Sequence, residues 1–347
     1  MSVRSLVEGM RTAPVLVTGT AGWLGRALVD TLTRGDGTRR LRGLVLPGEG
    51  MDLTGIQRVE GDVRSPESLS PFFQDAQGGI LFHLAGVIHP RRSADFEAVN
   101  TSGTRHVLEA ARRAGVRRAV VMSSNSPLGT NPHADHLFDE TSPYRPYMGY
   151  GRSKMLMEQE VARVRDKGAL ETVVIRAPWF YGPFQPPRQT RFFHMIRDGK
   201  APIVGGGENR RSMAYMDNLV QGLLLGAVRA EAVGGTFWIA DERPYTMNEI
   251  VDTVERLLEH EFGVPCRHKR MRLPGIFSDV AGVADRLIQA AGFYQQEIHV
   301  LSEMNKTIAC SVDKARRVLG YAPEVALEEG MRRSLAWLVG QGVDLHG

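Results

Sequence analysis

Between Pro14 and Arg176 short apolar runs alternate with stretches of helical spacing, and this alternation narrows the fold more than any other feature. Pro14-Val15-Leu16-Val17-Thr18, Leu41 to Leu46, Gly79 to Leu84, Ala119-Val120-Val121-Met122 and Glu171 to Arg176 read as buried strands. Trp23 to Thr33, Asp95 to Ala114 and the stretch around Tyr150 read as helices between them, the first stopping at Arg34-Gly35. Neighbouring parallel strands need crossovers of about this length. The pattern therefore predicts a parallel sheet covered by helices on both faces.

The texture changes after Pro178. Pro, Gly and Arg dominate Tyr181 to Arg211, with one helical piece around Phe192 to Arg197. Met213 to Val228 reads as a helix, Thr236 to Ala240 as a strand, and the chain is mostly helical from Thr246 to Leu338. The expected organisation is a sheet domain over residues 12–178, rejoined by 213–240, and a smaller, mostly helical part from 179–212 and 241–340.

Bulk properties exclude several classes. The basic residues behind the net charge of +4 are scattered pairs such as Arg91-Arg92 and Arg117-Arg118, so no nucleic-acid surface is expected. No apolar run approaches the ~18 residues of a membrane span. Met1 to Glu8 lacks the apolar core of a signal peptide. Cys266 and Cys310 match no metal motif and read as reduced thiols, which predicts a cytoplasmic protein without a metal.

Thr18-Gly19-Thr20-Ala21-Gly22-Trp23-Leu24-Gly25 lies between the first strand and the first helix. Glycines there let the backbone turn tightly and approach a pyrophosphate, whose charge the helix N-terminus stabilises. The spacing is Gly-x-x-Gly-x-x-Gly rather than the common Gly-x-Gly-x-x-Gly, but its place in an alternating α/β pattern predicts a nucleotide site. Leu46-Pro47 ends the second strand, with Glu49 beyond it and Arg39, Arg40 and Arg42 before it, so NAD and NADP both stay open. Asp62 could accept from the adenine amino group or simply close a turn. Further on, Tyr150-Gly-Arg-Ser-Lys154 places a phenol and an ammonium on one helix face. A cation beside a phenol favours the phenolate, so this pair is expected to move a proton near neutrality.

With the glycine turn, Asp62, His83-Leu84-Ala85-Gly86, Ser123-Ser124 and Tyr150-x-x-x-Lys154 in this order, the chain resembles the extended short-chain dehydrogenase/reductase superfamily. The likeness runs from about Pro14 to Leu338 and includes Ile175 to Pro183, Tyr215-Met216-Asp217-Asn218 and Val318 to Pro323. It implies an α/β, Rossmann-type doubly wound fold with a smaller C-terminal substrate domain, acting as a homodimer. Tyr150 would be the proton donor or acceptor, Lys154 would lower its pKa and bind the nicotinamide ribose, and Ser124 would hydrogen-bond the reacting oxygen. Ser123 would be a strand-end neighbour, though the pair could be exchanged by one residue. Gly129 stands at the family's offset from Ser124. Asn100 would be either the family's catalytic asparagine or one that only satisfies backbone groups, and His83 and His89 read as structural.

The resemblance further implies that NAD or NADP lies against Gly19, Ala21, Gly22, Trp23, Leu24, Gly25, Asp62, Val63, Leu84, Ala85, Gly86, Tyr150, Lys154, Pro178, Phe180 and Tyr181. Ser124, Ser126, Tyr150 and Arg210 would meet the substrate. Two reactions compete. An oxidoreductase similar to the 3β-hydroxysteroid dehydrogenase and dihydroflavonol reductase branch would interconvert an alcohol and a ketone. The helix through Val280, Ala284 and Leu287 could then cover a lipidic substrate, although a core helix is the preferred reading. A nucleotide-sugar epimerase or dehydratase would instead use Arg210, seven residues before Asp217, on a diphosphate. Against that stand Arg210-Arg211 where an Arg-Asp pair is usual, and Glu303 to Thr307, with only Lys306 basic, where an arginine is usual. The oxidoreductase is the expected reaction. A regulatory protein without catalysis would have lost Tyr150, Lys154 or Ser124, and all are present.

Overall fold

The computed structural model describes residues 2–34, 40–49 and 55–346. In chain order the strands are β1 Val15–Thr18, β2 Leu41–Val45, β3 Gln57–Glu60, β4 Ile80–His83, β5 Arg118–Ser124, β6 Glu171–Ala177, β7 Trp179–Tyr181, β8 Pro202–Val204, β9 Arg210–Arg211, β10 Met213–Tyr215, β11 Thr236–Trp238, β12 Tyr245–Thr246 and β13 Met271–Leu273. The helices are α1 Val3–Glu8, α2 Trp23–Thr33, α3 Thr104–Arg113, α4 Met148–Asp166, α5 Pro187–Arg197, α6 Met216–Val228, α7 Met247–His260, α8 Ile276–Ala290, α9 Gln296–Glu303 and α10 Leu327–Gly340.

Seven strands form one parallel sheet in the order β11-β6-β5-β4-β1-β2-β3. Strands β1, β4 and β5 bury every residue, as continuous apolar runs must when helices cover both faces. The edge strand β3 is Gln-Arg-Val-Glu and mostly exposed, so no apolar pattern announces it. Leu6, Leu24, Leu28 and Leu219 pack from α1, α2 and α6 on one face, and Val107, Leu108, Met157 and Val161 from α3 and α4 on the other. A separate core joins Phe193 and Ile196 of α5, Ile250 and Leu257 of α7, and Met331 and Leu335 of α10. The chain leaves β1 for β2 and β3 on one side and returns to β4 on the other. The carboxyl ends of β1 and β4 therefore open the crevice where doubly wound sheets bind ligands.

Three elements differ from the sequence reading. Phe96–Gly103 winds with the wider turns of a π-helix before α3 begins. Met213 to Tyr215 is strand β10, paired with β7, and the helix starts only at Met216. The helix through Val280, Ala284 and Leu287 is not core: Val280 and Leu287 are 61% and 66% exposed, and its buried residues are Ser278, Ala281 and Asp285. Spacing reveals that a helix has two faces but not which one packs. Here the polar face packs because each polar group on it finds a partner. Ser278 Oγ donates to the Ser302 carbonyl at 2.7 Å, and Asp285 Oδ2 sits 2.7 Å from His299 Nδ1.

Candidate active site

The site is assembled at the carboxyl ends of β1, β4, β5 and β6. The turn after β1 has Gly19 at φ +73°, where a side chain would be strained, and a Cβ there would lie 2.7 Å from the Ala85 nitrogen. A Cβ on Gly25 would fall 2.1 Å from the Gly19 carbonyl, so α2 docks directly onto the turn. Gly22 has more room, its nearest contact being the Gly19 carbonyl at 3.2 Å, and no side chain caps the helix it precedes. A glycine-lined turn leading into an uncapped helix N-terminus fits a dinucleotide pyrophosphate. Trp23 in the first turn of α2 donates from Nε1 to the Pro183 carbonyl at 2.6 Å and packs on Phe180, ring centroids 5.1 Å apart. That contact ties the turn to the segment after β6.

Around the expected adenosine end, Arg42 is already committed: its guanidinium donates to the Phe72 carbonyl at 2.8 Å and to the Gln74 carbonyl. Glu49 Oε2 accepts from the Leu46 nitrogen at 3.2 Å, which places a carboxylate at the end of β2. Gly35 and Arg39 lie outside the described residues. Asp62 is gripped by Arg64, whose Nε and Nη2 donate to Oδ2 at 2.9 and 2.6 Å, and this pairing holds the carboxyl below its usual pKa. His106 Nδ1 meets the Val63 carbonyl at 2.9 Å.

Asn100 is fully buried and spends its amide on its neighbours. Oδ1 accepts from the Val87 nitrogen at 2.8 Å, and Nδ2 donates to the Val87 carbonyl at 2.9 Å and to Ser153 Oγ at 3.0 Å. It thereby fixes the Leu84-Ala85-Gly86 loop against α4. A Cβ on Gly86 would lie 3.4 Å from Lys154 Nζ. His83 is buried between the hydroxyls of Thr18 and Thr104, both at 2.8 Å, and burial pulls its pKa down to about 3.

Tyr150 and Lys154 share one face of α4. Lys154 Nζ donates to the Met122 carbonyl of β5 at 2.9 Å, and desolvation lowers its pKa to about 8. Tyr150 is half-buried, packs on Phe96 with centroids 5.9 Å apart, and has Ser124 beside its hydroxyl. The expectation of a depressed phenol pKa is corrected here. Desolvation outweighs the Ser124 hydrogen bond and pushes it up to about 12. Ser124 Oγ is held by long contacts only, 3.4 Å to Asn125 Oδ1 and 3.3 Å to Ser126 Oγ. Gly151 follows Tyr150 because the Ser126 carbonyl passes close by, 2.4 Å from where a Cβ would sit. Gly129 has φ +78° against the Arg145 carbonyl, where a Cβ would lie at 2.5 Å.

Tyr181 and Arg210 each have surroundings of their own. Tyr181 is fully buried in the second core and its hydroxyl donates to Asp241 Oδ2 at 2.8 Å, so it faces away from the cofactor turn while Phe180, its neighbour on β7, faces toward it. Successive strand residues point to opposite sides. Arg210 is partly exposed, with Asp135 at 4.0 Å. Its neighbour Arg211 is half-buried, donates to the Glu303 carbonyl at 2.5 Å, and lies near Tyr147.

Sequence reasoning missed two features. Glu158, one turn after Lys154, forms a buried pair with Arg176 of β6 at 3.0 and 2.6 Å and also accepts from Ser123 Oγ at 2.5 Å and Tyr144 at 2.7 Å. Ser123 is thereby committed to structure, and Ser124 is the serine beside Tyr150. The signal for the pair was a lone arginine inside an apolar strand. The second feature is a roof from α8 and α9. Tyr294 packs edge-on against Phe96 at 5.3 Å and bonds His89 at 2.8 Å, Tyr147 bonds Ser302 at 2.7 Å, and Gln289 Oε1 accepts from the Gly149 nitrogen at 2.9 Å.

A family model, NAD dependent epimerase/dehydratase family, matches residues 15–240. The chain belongs to that family. It is 54% identical over 340 residues to the uncharacterised protein y4nL of Sinorhizobium fredii, covering 94% of this chain and 96% of that one. It is 27% identical to 4-hydroxy-2-methyl-3-oxo-4-farnesyl-3,4-dihydroquinoline-1-oxide ketoreductase of Stigmatella aurantiaca, over 93% and 95% of the two chains. Its fold is similar to that of UDP-glucose 4-epimerase of Thermotoga maritima, with a TM-score of 0.75 and 21% identity over 95% of this chain and 100% of that one. It is thus an NAD(P)-dependent enzyme of the extended short-chain dehydrogenase/reductase type. Among the described residues no helix is long and apolar enough to cross a membrane.

Proposed function

We propose that the enzyme is an oxidoreductase that interconverts a secondary alcohol and a ketone on a substrate with an apolar body. The observation that carries this reading is Tyr150, partly open, with Ser124 beside it and Lys154 one helical turn away. The nicotinamide, when bound, supplies the hydride exchange. Tyr150 gives its hydroxyl proton to the carbonyl oxygen in reduction and takes the carbinol proton in oxidation. Ser124, held only by long contacts, donates to the same oxygen. Lys154, anchored on the Met122 carbonyl, keeps a cation on the Tyr150 face of the helix. Phe96, Tyr147 and Tyr294 exclude water from above. That aromatic lining supports an apolar substrate, and the Stigmatella relative acts on a farnesyl-bearing ketone. The commitment of Arg42 and the carboxylate of Glu49 at the end of β2 support NAD over NADP.

The second reading, a nucleotide-sugar epimerase or dehydratase, has Arg211 in its favour, because this guanidinium lies near Tyr147 at the roof. Absorbance of the reduced nicotinamide separates the two. Net consumption of NADH with apolar ketones supports the oxidoreductase, whereas conversion of a UDP- or dTDP-sugar with no net change in NADH would overturn it.

A further inference from the structure

Helix α8 is inside out. Its buried positions are Ser278, Ala281 and Asp285, while Ile276, Val280, Val283 and Leu287 are 65%, 61%, 58% and 66% exposed. Those four recur at helical spacing and make a single stripe, which Phe277 and Phe293 widen. The helix cannot roll to bury them. Ser278 is bonded to the Ser302 carbonyl, Asp285 to His299, and Gln289 to the Gly149 nitrogen, so turning the stripe inward would break every one of these contacts. An exposed apolar surface of this extent on an ordered helix marks an interaction site.

The rim of the stripe is basic. Exposed Arg272 precedes α8, with Nη1 donating to the Gly206 carbonyl at 3.2 Å, exposed Arg286 lies on the helix, and exposed Arg92 pairs through its backbone with Phe293 at its far end. Asp279, the acid on the outer side of the helix, is neutralised by Lys306 at 2.8 Å, and Glu297 of α9 is the exposed acid nearest in sequence to Phe293. We propose that the outer face of α8 docks on an anionic lipid surface, with the stripe entering the headgroup and acyl boundary and the arginines meeting lipid phosphates. An apolar face with a cationic border is what such an interface requires. A second copy of the chain is a poorer occupant. A two-fold dimer would set this face against itself and bring like-charged rims together.

The test uses the whole protein and vesicles of phosphatidylcholine with or without phosphatidylglycerol. Wild type should co-sediment with the anionic vesicles and be released by salt. Val280→Glu/Leu287→Glu should weaken that binding on the order of tenfold or more, because two apolar side chains no longer enter the bilayer. Arg272→Glu/Arg286→Glu, which leaves the stripe intact, should abolish the preference for phosphatidylglycerol and serves as the second reading should the first variant fold poorly. No co-sedimentation of wild type, or binding unchanged in both variants, would overturn the proposal. So would sedimentation velocity in the absence of lipid showing a dimer that Val280→Glu/Leu287→Glu converts to monomer, since that assigns the face to a second copy.

Discussion

Tyr150 is governed by two opposed effects, and their balance sets a pH dependence. Burial pushes the phenol up to about 12 against the Ser124 hydrogen bond, so at neutrality it carries its proton. Reduction uses the protonated phenol and should be nearly flat from about pH 6 to about pH 8. Oxidation needs the phenolate, whose fraction rises about tenfold per unit below the pKa. Lys154, lowered to about 8 by desolvation, loses its charge above that pH and with it the cation that favours the phenolate, so the rise in oxidation should flatten there. Initial rates in both directions across this range check the signs, and an oxidation rate that falls from pH 6 to 8 would contradict them. Glu158 allows a second prediction at this scale. Glu158→Ala leaves the Arg176 guanidinium buried without its carboxylate, and should cost about 3–5 kcal/mol in urea unfolding. The Tyr150-x-x-x-Lys154 spacing and the glycine turn were legible because local periodicity sets them. The Glu158–Arg176 pair joins residues on different elements, and Tyr150's pKa depends on burial, so neither could be read from spacing.

Among the elements, α4 begins under constraint. Met148 stands at φ +51°, Tyr147 offers no side-chain cap, and Gln289 of α8 caps the Gly149 nitrogen from across the site. Gln289→Ala should therefore loosen the first turn, where Tyr150 sits. The expected outcome is a several-fold loss of kcat with NADH binding unchanged and about 1 kcal/mol lost in thermal or urea unfolding. Equal loss of kcat and of NADH affinity would contradict this, since it would place the effect in the cofactor turn. The strands of the central sheet were legible where both faces are buried. Edge strand β3 was not, because its residues face solvent. Helix α8 was legible as a helix, but its orientation was not: that follows from the partners of Ser278, Asp285 and Gln289, which lie 14–140 residues away in the chain.

For the whole molecule, sheet order brings distant residues together. The return of the chain from β3 to β4 places Thr18, His83 and Ser124 at adjacent strand ends, so a glycine turn near the N-terminus and a helix starting at Met148 face one crevice. The α8–α9 roof closes that crevice from the C-terminal part, with Tyr294 packed on Phe96 beneath it, in keeping with the proposed apolar ketone. The reading of a single active centre rests on Tyr150 alone moving the proton, with the glycine turn doing independent work in binding. Turnover of Tyr150→Phe, measured beside NADH fluorescence and melting temperature, tests this most directly. The account predicts a loss of about 10²–10⁴-fold in kcat with cofactor binding and melting unchanged. A variant that keeps activity within a few-fold of wild type would contradict it.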